Sequence, residues 1–298
     1  MIYSQHQLQS LGKRLRDGSR SLSDIEMLEC FRDGHDSLLL DQSLALFNVL
    51  SVTGVRFLSA GRLKRTKSII RKLQRPENKG MDLSRIGDLV GLRIIVKNTE
   101  DQEIFDGILR ERWPDAYRSD YRDRDNQYRA VHYLISEGGK RIEVQIRTIV
   151  QHLWAEESET FGKKVKEGGG TVEIRDYLDK LAYQCHTVEM ESKSWEALYP
   201  GGLYMERNPG YKLTVLSDRF EDATQKDLKA ANSYVVVFDS ATKELTQIFS
   251  FNPRERSESL VVFHRLSRTL PEDRYDVLVF NTANDRVIGV THSRYFAF

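Results

Sequence analysis

Eight cations and no acidic residue fall between positions 56 and 75: Arg56, Arg62, Lys64, Arg65, Lys67, Arg71, Lys72 and Arg75. The 298-residue chain carries a formal charge of only +1, so this run is a local concentration rather than a basic average. Such a strip is solvated, paired, or turned toward a polyanion, and three later features favour the last. Asp88 stands in GDLVGLR, just before an apolar stretch; Tyr128 and His132 lie four apart in NQYRAVHY; Glu143 sits in RIEVQIRT. Two carboxylates beside a cationic strip suit Mg²⁺, which takes a few carboxylate oxygens together with phosphate oxygens and water. Moving a phosphoryl-type group needs that ion, and basic side chains, to neutralise the transferred charge. A tyrosine face can stack on a nucleobase. There is no Walker lysine motif and no GxGxxG element, so phosphates would be held by side chains of the basic run. Each feature has a plainer reading as well. Asp88 could cap a turn, Glu143 could pair with Arg141 or Arg147 at the surface, Tyr128 and His132 could be core aromatics, and the basic run could be a solvated helix face.

The elements that must position these residues are legible in outline. Residues 1–60 alternate apolar and polar positions at helical spacing, with Ser23 or Asp24 as the expected N-cap. A turn is expected around Gly61, followed by a helix over SIIRKLQR, in which Ile69, Ile70 and Leu73 share one side. DLVGLRIIVKN reads as a strand and Glu100 to about Trp113 as a helix. AVHYLISE and RIEVQIRT read as a hairpin turned at Gly138–Gly139. In its second strand Ile142, Val144 and Ile146 point one way and Glu143, Gln145 and Arg147 the other, giving one dry face and one face lined with chemistry. A long helical region from Val150 past Trp195 is interrupted at Gly168–Gly169–Gly170, and Tyr199-Pro200-Gly201-Gly202 looks like a boundary. Beyond it come a helix-containing link, a hairpin (YVVVFDSATKELTQIFSF), a helix (SESLVVFHRLSRTL) and two strands (YDVLVFN and VIGVTHS). The expected fold is α+β: a mixed sheet flanked by helices over residues 1–198, then a small α+β domain over 203–298.

Taken in order, RLKRTKSIIRKLQR, RIGDLVGLRIIV, SDYRDRDNQYRAVHY, IEVQIRT and LWAEESE resemble the synthetase domain of the RelA/SpoT family over roughly residues 45–165. The resemblance implies a nucleotidyltransferase-like fold and transfer of pyrophosphate from ATP to a ribose 3′-hydroxyl. No histidine–aspartate hydrolase signature precedes these motifs, so the chain resembles the small, synthetase-only branch. By resemblance, Arg62, Lys64, Lys72 and Arg75 hold the ATP phosphates with Ser68 beside them, and Arg93 with Arg62 sandwiches the adenine. Asp88 binds Mg²⁺; Glu143 shares the ion and activates the acceptor hydroxyl. Tyr128 stacks on the acceptor base, and Arg129, His132, Gln145 and Arg147 line its pocket. The sequence departs from the family pattern at Gln127, where a glycine is usual, and at Ser158-Glu159, where Glu-His is usual. The segment between the two hairpin strands is also short.

Three functions are compatible with these residues. The first is an ATP-dependent pyrophosphokinase acting on GDP or GTP to make a (p)ppGpp-type alarmone. The second aims the same chemistry at the 3′ end of tRNA, as toxic relatives do. Arg110, Arg112, Arg118, Arg122 and Arg124, with Lys13, Arg14 and Arg16, would then track the nucleic-acid backbone. The third is a non-catalytic nucleotide-binding regulator, which the retention of both carboxylates opposes. The C-terminal region could bind a ligand or protein partner or restrain the site; under restraint, deleting residues 201–298 should raise turnover. Oligomeric state is left open. Two well-separated cysteines argue against a disulfide framework or structural zinc. No stretch reaches the roughly 18 apolar residues of a membrane span, and no signal-peptide pattern is present. A cytoplasmic protein without membrane contact is therefore expected.

Overall fold

The computed structural model describes residues 3–122, 128–161, 170–191, 220–221, 232–242, 244–252 and 254–282. Three helices come first: α1 (Gln5–Asp17), α2 (Leu22–Asp33) and α3 (Asp36–Ser51). α2 is capped by Ser21 rather than by the expected Ser23 or Asp24. Asp24 is instead the third helical residue and accepts a hydrogen bond from the Ser21 N–H, completing a capping box. Next come β1 (Phe57–Leu63), α4 (Thr66–Leu73), β2 (Val90–Val96), α5 (Thr99–Arg112), β3 (Tyr117–Asp120), β4 (Val131–Glu137) and β5 (Lys140–Thr148). The remaining elements are α6 (Ile149–Thr160), α7 (Val172–Glu191), β6 (Asn232–Asp239), β7 (Glu244–Phe251), α8 (Arg256–Thr269) and β8 (Tyr275–Thr282).

The strands form one eight-stranded sheet in the order β3-β4-β5-β2-β1-β8-β6-β7. β2 and β5 are parallel while the other described pairs are antiparallel, so the sheet is mixed as expected. One face carries Val90, Leu92, Ile94, Ile142, Val144 and Ile146 beneath Leu39 and Phe47 of α3, Phe105 of α5 and Phe263 of α8. The other face carries Leu58, Ala60, Ile95, Leu278 and Phe280 against Val150 and Leu153 of α6 and Leu181 and Cys185 of α7. A third cluster joins α1 and α2 to Ile69, Ile70 and Leu73 of α4 and to Leu83, Ile86 and Leu89. This last cluster fixes both the basic helix and the segment that carries Asp88. The hairpin between β4 and β5 turns at Gly138 and Gly139, whose φ of 56° and 75° suit the tight turn.

Two expectations are corrected. Gly61 is in the middle of β1, not at a turn. A Cβ there would lie 2.8 Å from Leu39 and Ser43 and 2.9 Å from Leu92. The glycine therefore serves the close packing of α3 on the sheet. The C-terminal strands do not form a core of their own: β8 pairs with β1 at Ala60–Phe280 and Gly61–Val279, and β6 pairs with β8. The boundary expected at 199–202, the strand VIGVTHS, the terminal HSRYFAF, most of the link before β6, and Gly168 and Gly169 lie outside the described residues. Cys30 and Cys185 are free thiols. Among the described residues no helix is long and apolar enough to cross a membrane.

This architecture sets a test of the C-terminal region. Leu278, Val279, Phe280, Val236 and Phe238 are all buried in the shared core. At about 1.5–3 kcal/mol each, their burial matches the whole stability of a typical domain, about 5–15 kcal/mol. A chain ending at residue 231 should lose cooperative thermal unfolding and aggregate through the exposed edge of β1. A soluble truncation with a native-like melt would show that β1 does not need β8.

Candidate active site

The sheet register gathers the chemistry. On the face shared with α6 and α7, Arg62 of β1 lies beside Gly91 of β2, which lies beside Glu143 of β5. One step along, Ala60, Arg93, Gln145 and His132 form the next row. Alternation explains why: each of these residues is offset by one from an apolar neighbour that points into the opposite core. A cleft of about 160 Å³ opens over these rows, lined by Ala60, Arg62, Lys64, Asp88, Gly91, Arg93, Glu143, Gln145 and Leu278, among others. Gly91 keeps its centre clear, since the nearest atom to a Cβ there would be the Arg62 carbonyl oxygen at 3.9 Å.

Asp88 is held from two sides. Lys64 Nζ donates to one carboxylate oxygen at 2.7 Å and Lys72 Nζ to the other at 2.9 Å. Burial pushes the Asp88 carboxyl up, but the two ammonium groups outweigh it and leave the acid below its usual value. Glu143 accepts from Gln145 Nε2 at 2.7 Å, and its other oxygen lies 3.2 Å from His132 Nδ1. Burial raises Glu143 and the Asp88 charge adds to that, yet the hydrogen bond and charge of His132 prevail and the net shift is downward. Both carboxylates are therefore ionised at neutral pH. The stability they contribute is complete there and is lost as pH falls through their depressed folded values, on the acid side of the ordinary range.

A hydrogen-bonded chain runs away from Glu143. The Tyr128 hydroxyl is 2.7 Å from His132 Nε2, and Arg147 Nη2 donates to that hydroxyl at 2.8 Å. Arginine can only donate and an ionised carboxylate can only accept, which fixes both ends of the chain. Arg147 donates to Tyr128, the Tyr128 hydroxyl meets His132 Nε2, and the Nδ1–H of His132 donates to Glu143. The Arg147 guanidinium also lies 5.3 Å from the centre of the Tyr128 ring, and Trp154 touches the ring edge. Arg147 is 4% exposed, and its Nε and Nη1 have no hydrogen-bond partner among the described residues. That leaves hydrogen-bonding capacity for an anionic group at this end of the site.

Some expected site residues stand apart. Arg129 donates to His186 Nδ1 at 2.7 Å and reaches Glu189, both on α7, outside the cleft. Ser68 and Arg75 do not line the cleft; Arg75 is exposed just past the end of α4, whereas Lys72 reaches Asp88. Arg93 does line it and is paired with the buried Glu156 at 3.1 Å. Burial and the nearby Arg147 push Arg93 down to about 10. Glu156 is a site residue that sequence reasoning missed, although LWAEESE contains it; its tie to Arg93 depends on how α6 folds back over β2. Three of the arginines around β3 are paired internally, while Arg112 is exposed and lies 5.0 Å from the centre of the Trp113 ring. Arg118 donates to Asp106 at 2.8 Å and to Asp120 at 2.6 Å, Arg122 donates to Asp120 at 2.9 Å, and Arg110 also bonds Asp106. Arg124 and Gln127 lie outside the described residues. A larger cavity, about 720 Å³, lies behind the segment carrying Asp88. Its cations Lys140 and Arg141 are turned onto the backbone carbonyls of Gly34 and Arg85.

Residues 61–166, which supply most of the lining of this cleft, match the family profile described as the region found in RelA / SpoT proteins. The chain carries a RelA/SpoT region. A GTP pyrophosphokinase of Myxococcus xanthus is 29% identical over 147 residues, covering 48% of this chain and 19% of that protein. A GTP pyrophosphokinase of Haemophilus influenzae is 34% identical over 128 residues, covering 41% and 17%. The match thus spans less than a fifth of the length of these relatives. The solved small alarmone synthetase 1 from Bacillus subtilis, bound to its product pppGpp, aligns with a TM-score of 0.48 at 19% identity, over 59% of this chain and all of that one. In this chain the match ends at residue 166, between α6 and α7 in sequence, and β6–β8 lie outside it.

The hold of His132 on Glu143 can be tested directly. In the native protein the Glu143 side-chain carbon should titrate by NMR below the ordinary glutamate value. In His132→Ala the largest lowering influence is gone, while burial and the Asp88 charge, which raise the value, remain alongside the weaker Gln145 hydrogen bond, so the midpoint should move up. An unmoved midpoint would mean that His132 does not hold Glu143.

Proposed function

We propose that this chain transfers the β,γ-diphosphate of ATP to the 3′-hydroxyl of GDP or GTP, making a (p)ppGpp-type alarmone. The observation that carries the reading is the meeting, in one cleft, of two ionised carboxylates with Arg62, Lys64 and Arg93, with Lys72 reaching Asp88 from α4. The RelA/SpoT region and relatives named GTP pyrophosphokinase support it. In this reading the acceptor 3′-oxygen attacks the β-phosphorus, the bond from that phosphorus to the α,β-bridging oxygen breaks, and AMP departs with the oxygen. The hydroxyl proton passes to the Glu143 carboxylate. Lys64 and Lys72 exchange the Asp88 oxygens for phosphate oxygens, and Arg62 and Arg93 flank the adenine.

Asp88 and Glu143 also make a plausible donor set for Mg²⁺. Among the described residues no group of three or more His, Cys, Asp or Glu side chains forms a ready-made cage. Mg²⁺ is commonly held by one or two carboxylates together with substrate phosphates, so two carboxylates lining one cleft fit an ion that arrives with the nucleotide. Bound there, it would neutralise phosphate charge. Ser68 and Arg75 would join the phosphate end only if α4 tightens onto the nucleotide. Tyr128 is assigned to the acceptor base, which stacks on the ring face away from Arg147; His132, Gln145 and Arg147 belong to that side of the site.

The tRNA alternative draws less support, because Arg110, Arg118 and Arg122 are neutralised by Asp106, Asp120 and Glu103 instead of facing outward as free cations. The regulator alternative has to explain why both carboxylates are kept ionised in a water-accessible cleft. Glu143→Gln and Asp88→Asn should each lower transfer of γ-labelled phosphate from ATP to GDP by about 10²–10⁴-fold, with folding intact and ATP affinity largely retained. Tyr128→Ala should chiefly raise the KM for the acceptor. Near-native turnover in either carboxylate variant would overturn the assignment.

A further inference from the structure

The C-terminal segment reaches into the cleft. The pairing of Gly61 with Val279 sets Leu278 beside Arg62, one step further along β1 and β8, and Leu278 lines the cleft together with Ala60. The residues just before it are fastened to the basic helix. The Glu272 carboxylate accepts from the backbone N–H of Thr66 at 2.8 Å and of Lys67 at 3.1 Å, capping α4 from the far end of the chain. Asp276 accepts from Arg65 Nε at 2.7 Å, and Asp273 pairs with Lys67 at 3.1 Å. Leu278 is thus held in register both by strand pairing and by this acidic clasp.

The cleft is chemically uneven. Asp88, Glu143 and Lys64 crowd one end, whereas Ala60 and Leu278 lie beside the guanidinium groups of Arg62 and of Arg93, the latter paired with Glu156, and make the other end the more apolar. A triphosphate belongs with the lysines. A purine, flat and weakly polar, belongs with the guanidinium planes and the two aliphatic side chains. We propose that Leu278 is a specificity-determining residue of the donor site, forming the apolar wall against which the base of ATP lies. The C-terminal segment is then a working part of the site and not an appended module. This inference rests on the reading of the cleft as an ATP site.

Base and phosphate contacts can be separated by binding alone. The full chain is titrated with a non-hydrolysable ATP analogue and, in parallel, with inorganic tripolyphosphate, which has no base. Leu278→Ala should weaken the analogue about tenfold, leave tripolyphosphate unchanged, and raise the KM for ATP without lowering kcat in proportion. Leu278→Met should restore most of the affinity. Val279→Ala is the control, because Val279 is buried in the same strand but belongs to the core on the opposite face. It should lower the melting temperature comparably and leave analogue binding intact. Equal analogue affinity in Leu278→Ala and the native chain would overturn the proposal, as would an equal loss for tripolyphosphate or in Val279→Ala. A native chain that binds tripolyphosphate or nothing, but shows no preference for the analogue, would overturn the ATP reading itself and the proposal with it.

Discussion

The parallel pairing of β2 with β5 is the constraint on which the site depends. It sets Gly91 against Glu143 and Arg93 against Gln145, so that residues some fifty positions apart in sequence share one face. A parallel pair cannot be closed by a tight turn. The chain therefore spends α5, β3 and β4 on the return, and β4 brings His132 into the same row. A one-residue slip would turn Glu143, Gln145 and Arg147 into the apolar core and expose Ile142, Val144 and Ile146. The dry face, packed under α3 and α5, is what forbids that slip.

The second organising feature is mutual neutralisation. A buried ion left without a partner costs several kcal/mol, and this site gathers several ions that are largely withdrawn from solvent. Asp88 is balanced by Lys64 and Lys72, Arg93 by Glu156, and Glu143 by the hydrogen-bonded chain from Arg147 through Tyr128 and His132. The free protein thus keeps its cations in place without a nucleotide. A phosphate that enters does not create the cationic field; it competes with a carboxylate for it. The same logic accounts for Glu272 on α4, where a C-terminal carboxylate satisfies backbone donors that would otherwise face solvent at the helix start.

Much of this was legible in the sequence, because it rests on local pattern. The alternation in RIEVQIRT assigned Glu143, Gln145 and Arg147 to one face, Gly138–Gly139 marked the hairpin, and Ile69, Ile70 and Leu73 marked the buried side of α4; all three hold. What escaped depended on distant partners. Gly61 carries the local signal of a turn, and only the approach of α3 makes it a strand residue. The strands after residue 232 look self-sufficient as a hairpin, helix and strand, and nothing local says that β8 will pair with β1. Arg129 sits in a motif otherwise devoted to the site, yet α7 claims it through His186 and Glu189. The arginines around β3 read as a cationic patch until Asp106, buried on α5, is seen to gather them. Leu278 had no signal at all, because an apolar residue in an apolar strand is indistinguishable from core until the cleft is drawn.

Which phosphorus of ATP is attacked decides the reaction. The most direct measurement is ³¹P NMR of the native chain incubated with ATP, Mg²⁺ and, separately, GDP, GTP or deacylated tRNA. The account predicts AMP formed in step with a guanine nucleotide that carries a new 3′-diphosphate. Release of ADP or of free pyrophosphate in step with acceptor modification would place the attack at the γ- or α-phosphorus and contradict it.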